Sequence, residues 1–416
     1  MRILYISQYF PPEVNAPAQR VFDFAKAWTD AGHEVVVLTG FPNHPAGKIF
    51  DGYKLRLLQR ENIDGVDVVR AYLYPAPNEG KLRRCANYVS FMVSAATLGC
   101  AAVGKVDVVI ASSPQLLVGV AGYWISRVKR VPFVLSVRDV WPEALVAVDA
   151  KVSRRLYNLL DRVANFLYKR ADKIITVTRG AQDVIRRHGV DQAKLELIPT
   201  GVHSDVIKPM DPPQDIRVRY GDGESVIVSY VGTHGMAQKL FAVLRAAQLL
   251  ADEPRVQFVS VGDGADKENL VRMKNDLALE NVHFVDQLPR QEALDYIAAS
   301  DICLVPLRKA ELFKETIPSK LYEIMACGRP IILGVDGEAR KLLETASAGI
   351  YVEPEEPQAL ADAIRKLATD PGARARYGEN GRRFVTENFD KGILAEQFLS
   401  LLCSLADAPK SPGSLA

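Results

Sequence analysis

The stretch IPTGVHSDVIKPMDPPQD (198–215) divides the chain into two runs of the same pattern. Pro209, Pro212 and Pro213 can neither continue a helix nor donate to a ladder, so the segment reads as a linker. Before it stand apolar runs of strand length: RILYIS (2–7), EVVVLTG (34–40), VDVVRAY (66–72), VDVVIAS (106–112), PFVLSV (132–137) and KIITVT (173–178). After it the pattern restarts with SVIVSYVG (225–232), VQFVSVG (256–262), VHFVDQ (282–287), ICLVPL (302–307) and PIILGV (330–335). Continuous Val/Ile/Leu runs mark strands buried on both faces, and the helix-length segments between them make right-handed crossovers and parallel sheets. The expected fold is therefore α/β, with two Rossmann-like, doubly wound domains facing across a cleft: residues 1–199, and 200–391. A closing helix near 392–406 is expected to pack back on the first domain, followed by a disordered tail at 407–416. Ligands in such sheets sit outside the carboxyl ends of the strands, so the βα loops should line the cleft.

The 416 residues are 48% hydrophobic and 25% charged, an ordinary globular composition that excludes fibrous and disordered classes. The net charge of +2 hides an asymmetry, with 27 Lys+Arg against 18 Asp+Glu in residues 1–200 and 25 against 32 in the remainder. The first half is thus the one suited to an anionic partner. Five cysteines without a C-x-x-C pair indicate neither a disulfide framework nor a zinc site, which fits a reducing cytoplasm. No signal peptide is expected from MRILYISQYF, and the apolar run at 85–104, diluted by Asn, Ser, Thr and Gly, reads as a buried or interfacial helix. The histidines lack the spacing of a metal site, and VGDGAD (261–266) lacks the full dinucleotide pattern, so neither a catalytic metal nor a cofactor is expected.

The segment ELFKETIPSKLYEIMACGRPIILG (311–334) is the richest in candidate chemistry. A helix starting near Pro318 puts Glu323 in its second turn and Glu315 in the preceding loop, where both carboxylates can accept from sugar hydroxyls. A glutamate, seven residues, a glutamate and then MACGRPII resembles the donor-site motif of the family 4 glycosyltransferases. AGHEVVVLTG (31–40), IPTGV (198–202), YVG (230–232), DICLVPL (301–307) and AGIYVEPEEPQALADAI (348–364) extend the resemblance over nearly the whole chain. IPSK followed by YE, together with RDVWPE (138–143), is similar to a bacterial subgroup of aminosugar transferases that build O-antigen and capsule.

The resemblance implies a retaining GT-B enzyme that moves an N-acetylated hexosamine from a UDP-sugar to a polyprenyl-diphosphate-linked saccharide. The second domain would hold the donor and the first the acceptor, at the cytoplasmic face of the inner membrane and with no nucleic acid involved. It places Glu323 on the nucleotide ribose and Glu315 near the donor sugar and its leaving group. The family's Arg and Lys after the first strand of the second domain are replaced here by Thr233 and Gln238, so the diphosphate needs other partners. Lys320 is the first candidate, with Lys239, Gly232, Thr233, His234, Pro318 and Ser319 around it. In the first domain Arg138 and Asp139 stand where relatives carry a histidine, and are the candidates for charge stabilisation and proton uptake. Glu13, Arg20, Trp141 and Glu143 are the candidate acceptor contacts. Basic, aromatic stretches at 81–93 and 151–170 are candidate interfacial helices. Two rivals share the fold: a UDP-sugar epimerase or hydrolase, and a non-catalytic scaffold subunit of a polysaccharide assembly complex.

Overall fold

The computed structural model describes residues 1–77, 81–113, 115–143, 153–221 and 224–408. The chain divides into two compact units, one formed by Met1–Pro199 with the segment from Gly392 onward, the other by Thr200–Lys391.

The first unit carries β1 (Arg2–Ile6), β2 (Glu34–Gly40), β3 (Leu58–Ile63), β4 (Val66–Ala71), β5 (Val108–Ser112), β6 (Phe133–Val137), β7 (Lys173–Thr176) and β8 (Leu195–Leu197). They form one sheet in the order β3-β4-β2-β1-β5-β6-β7-β8. Every neighbouring pair is parallel except β3 with β4, an antiparallel hairpin at the sheet's edge. Its turn is Asp64-Gly65, both at positive φ (49° and 90°), the conformation a two-residue hairpin with right-handed twist demands. Side chains alternate along β1, so Leu4 and Ile6 enter one core with Leu38, Phe91 and Leu135, while Ile3 and Tyr5 enter the other with Val35, Val37 and Trp28. The closing helix, Lys391–Asp407, covers the second face: Phe398 meets Trp28 edge-on at 5.2 Å, and Trp28 Nε1 donates to the Ala395 carbonyl at 2.9 Å. The expected tail lies outside the described residues from 409 onward.

The second unit carries β9 (Val226–Val231), β10 (Val256–Val261), β11 (Val282–Val285), β12 (Ile302–Pro306), β13 (Ile331–Gly334) and β14 (Gly349–Tyr351). The order is β11-β10-β9-β12-β13-β14, and every pair is parallel. Val228, Tyr230, Ile302 and Leu304 face one core, Cys303, Val305, Ile331 and Leu333 the other. The carboxyl ends of β9 and β12, neighbours at the sheet's centre, therefore open at the same edge.

Candidate functional site

In the second unit, glycine brings backbone against backbone at the strand ends. Gly232, just past β9, has φ +146°, and its N–H donates to the Val261 carbonyl at 2.9 Å. Gly262, just past β10, has φ +141°, and a Cβ there would fall 2.0 Å from the Gly232 carbonyl oxygen. No side chain fits between the two exits, which leaves an edge bounded by main chain, as close approach of a ligand requires.

Over that edge stands the helix Ser319–Ala326, with Pro318 at its N-cap. Leu321, Tyr322, Ile324 and Met325 are buried, so the phase of the helix turns Lys320 and Glu323, three residues apart, to the opposite side. The Lys320 ammonium lies 3.9 Å from the centre of the Tyr230 ring, and a Cβ on Gly232 would sit 2.5 Å from it. Among the described residues it makes no hydrogen bond and no ion pair. Burial pushes its pKa down to about 8, with Glu323 pulling weakly the other way. Glu323 Oε1 accepts from Arg290 Nη2 at 2.8 Å. A partly desolvated ammonium above a glycine, without a carboxylate in contact, is built to receive an anion.

The neighbouring candidates divide by role. Thr233 is exposed, and its carbonyl accepts from the Tyr230 hydroxyl at 2.7 Å. The His234 ring, expected near the donor phosphates, is instead fully buried: it bonds Ser260 Oγ at 2.6 Å and packs against Tyr230 and Phe284. Burial, then the Lys267 charge, lowers its pKa, so the ring braces the loop in its neutral form. Lys239 is at φ +48°, with its ammonium 5.6 Å above the Phe241 ring. Glu315 closes a short 3-10 turn, Glu311–Glu315, pressed against Gly337, where a Cβ would lie 2.1 Å from the Lys314 carbonyl oxygen. Ser319, at the first helical position, is exposed. Arg308, which sequence reasoning missed, follows β12; its backbone N–H donates to the Ala237 carbonyl at 2.8 Å, and its Nε is buried without a partner among the described residues. The signal was a lone arginine directly after DICLVPL.

The first unit uses several expected contacts differently. Glu13 is buried, and its Oε1 accepts from the backbone N–H groups of Asn43 (3.0 Å) and His44 (2.9 Å). Burial raises its pKa although these N–H groups work against the rise. Arg20 is buried too, donating from its two terminal nitrogens to the Pro199 and Ile198 carbonyls, both at 2.7 Å, with Phe24 beneath its guanidinium. The expectation of two polar groups offered at a cleft edge is corrected: both side chains turn inward because main-chain donors and acceptors wait there. Glu143 likewise meets His188 Nε2 at 3.1 Å, linking the loop after β6 to the helix Arg179–Arg187. Trp141 is half-buried and Asp139 exposed; among the described residues the Trp141 indole N–H has no partner, and the half-buried Arg138 has Nε and Nη1 buried without partners.

Residues 15–201 match the model of the glycosyl transferase 4-like domain, and residues 214–384 that of the glycosyl transferases group 1. A putative colanic acid biosynthesis glycosyl transferase of Escherichia coli, WcaI, is 24% identical over 96% of this chain and 99% of its own. The probable glycosyltransferase WbjE of Pseudomonas aeruginosa is 26% identical over 67% of this chain and 70% of its own. Among solved structures, HepE of Anabaena in complex with UDP-glucose superposes with a TM-score of 0.69 at 20% identity, covering 97% of this chain and all of its own.

Proposed function

Because the chain belongs to the family 4 glycosyltransferases of the GT-B fold, we propose that it transfers a sugar from a UDP-sugar to a polyprenyl-diphosphate-linked saccharide in the synthesis of a bacterial surface polysaccharide. The transferred sugar in this reading is an N-acetylated hexosamine, and its anomeric configuration is retained without a metal. The observation that carries the donor half is the Lys320 ammonium, unpaired over the glycine exit of β9 and one turn from Glu323. Lys320 takes the charge of the diphosphate, Lys239 and Arg308 are further cations without ion pairs among the described residues, and Glu323, steadied by Arg290, accepts from the ribose. Glu315 serves the donor sugar. Arg138 and Asp139 supply positive charge and a proton acceptor from the first unit. The names of WcaI and WbjE support the setting in polysaccharide synthesis.

A layer of three neighbouring helices in the first unit supports the membrane half of the reading. Leu82–Ala102 is long and apolar enough to cross a bilayer by composition, yet Phe91, Ala95 and Cys100 are buried in the core. The helix Leu116–Lys129 packs between it and Arg154–Arg170. Leu82, Val89, Val93, Trp124, Val128, Leu156, Leu159 and Phe166 are all exposed on these helices. Arg83, Arg127, Lys129, Arg154, Arg155 and Arg162 carry the charge among them. Apolar side chains rimmed by arginine and lysine suit an anionic lipid surface.

The test is the thermal midpoint of the full chain with UDP-, GDP-, TDP- and ADP-sugars, followed by NMR of the product's anomeric carbon. A shift selective for UDP-sugars, lost in Glu323→Ala, with a retained anomer, supports the reading. No shift with any nucleotide favours the scaffold rival, and release of free sugar without transfer the hydrolase.

A further inference from the structure

The first unit supplies its inward-turned arginines with partners unequally. Arg70 is fully buried and well supplied: the Glu61 carboxylate takes its Nε, the Gly40 carbonyl its Nη1 at 3.0 Å, the Pro11 carbonyl its Nη2, and the Tyr53 ring stacks against it. Arg20 has the two carbonyls at the end of the unit. Arg138, one residue beyond β6 in the body of the sheet, has none of this. Its Nε and Nη1 are buried without a partner, and no carboxylate oxygen lies within 4 Å of its guanidinium among the described residues. Asp139 beside it is exposed, and the Tyr5 hydroxyl it faces is neutral and buried. Burial lowers the pKa of Arg138 from the usual arginine value, the mark of a charge held out of water. The Trp141 indole N–H and Gln115 Nε2 are also buried without partners among the described residues, but with Asp139 they line a separate small recess that Arg138 does not line.

A guanidinium has five N–H donors and stays charged, so leaving it desolvated and unpaired is costly unless a ligand completes it. The unmet groups of Arg138 are donors, so its missing partner is rich in anionic oxygen. We propose that Arg138 anchors an anion subsite in the first unit, taking a phosphate or carboxylate that is a permanent group of the substrate bound there. This rests on the transferase reading and deepens it, since it gives Arg138 a permanent anionic group of the first unit's substrate to hold, in place of a charge offered only to the reacting centre. A lipid-linked diphosphate and an acidic sugar both carry that chemistry.

The experiment uses the full chain carrying Lys320→Met, which removes the second unit's candidate phosphate cation. Thermal midpoints are measured in low-salt buffer with inorganic phosphate, pyrophosphate or glucuronate. The expected result is a rise of about 2 °C or more with at least one of these anions, abolished by adding Arg138→Met and partly kept by Arg138→Lys. Pyrophosphate as the stronger ligand identifies the diphosphate source, glucuronate the acidic sugar. Without added anion, Arg138→Met is expected to be at least as stable as its parent, because an unpaired buried charge is gone. An Arg138-independent rise, no rise at all, or a drop in stability on Arg138→Met with the anion effect intact overturns the proposal. Titration of the parent chain with UDP is run alongside: a missing UDP effect beside an intact Arg138-dependent one counts against the donor reading alone.

Discussion

The two units share one architecture, but the loop after β1 in the first and the exit of β9 in the second handle polarity in opposite ways. In the second, Gly232 and Gly262 clear the space, and Lys320 hangs over it on the Tyr230 ring, without a hydrogen bond or ion pair among the described residues. In the first, the loop after β1 reads QYFPPEVNAPAQR, without a glycine, and its charged residues bend inward: Glu13 onto two backbone N–H groups, Arg20 onto two carbonyls. The difference teaches that a charged residue in a βα loop is read by its partners. One bonded to the main chain holds the frame; one without such a bond is open to a ligand.

The contrast breaks most visibly at Lys320. Lys320→Met is expected to weaken UDP binding about 100-fold, as loss of a charged hydrogen bond worth about 3 kcal/mol implies, while leaving uridine affinity within about twofold. Isothermal titration checks it, and equal losses for both ligands would show that the lysine does not read the phosphates. Arg20→Met belongs to the other class: it strips two main-chain acceptors of their donor and is expected to cost about 2–4 kcal/mol of stability by denaturant unfolding, with UDP affinity unchanged.

A pH series sharpens the same point. The Lys320 pKa in the free protein is about 8, so the ammonium is fully charged below pH 7 and mostly neutral by pH 9. Bound phosphate favours the charged form, so binding takes up a proton above pH 8, and affinity should fall about fivefold between pH 8 and 9. Lys320→Arg should flatten that fall; an equal slope in both proteins would place the titrating group elsewhere. In the first unit's helical layer, Trp124→Ser with Val128→Ser is expected to lower binding to anionic vesicles several-fold, read by co-sedimentation, with little change in thermal midpoint. The smallest effect is expected at Glu13→Gln, which keeps the acceptor for Asn43 and His44 and should change stability by about 0.5 kcal/mol or less.

Much of this was legible in the sequence where a period carries the information. The Val/Ile runs located the central strands to within a residue or two, and the helix expected to start near Pro318, with Glu323 in its second turn, is Ser319–Ala326. The hairpin β3–β4 escaped because LQRENI alternates weakly with mostly polar residues, as an edge strand can; the Asp64-Gly65 pair was its overlooked signal. The three-residue strands β8 and β14 are too short to show a period. The inward turn of Arg20 was hidden for another reason, since its partners are carbonyls 178 and 179 positions away, and a main-chain acceptor leaves no side-chain signature. His234 misled similarly: its place in the loop was right, but Ser260, Tyr230 and Phe284, which draw its ring inward, belong to three different strands or their ends.

The most direct test of a nucleotide site in the second unit is amide hydrogen exchange of the full chain with and without saturating UDP. The account predicts slowed exchange in the peptides spanning Tyr230–Lys239 and Glu315–Ile324, with no comparable change across Gln8–Arg20. Slowed exchange at Gln8–Arg20 with none at Tyr230–Lys239 would contradict it, and would move the nucleotide to the first unit.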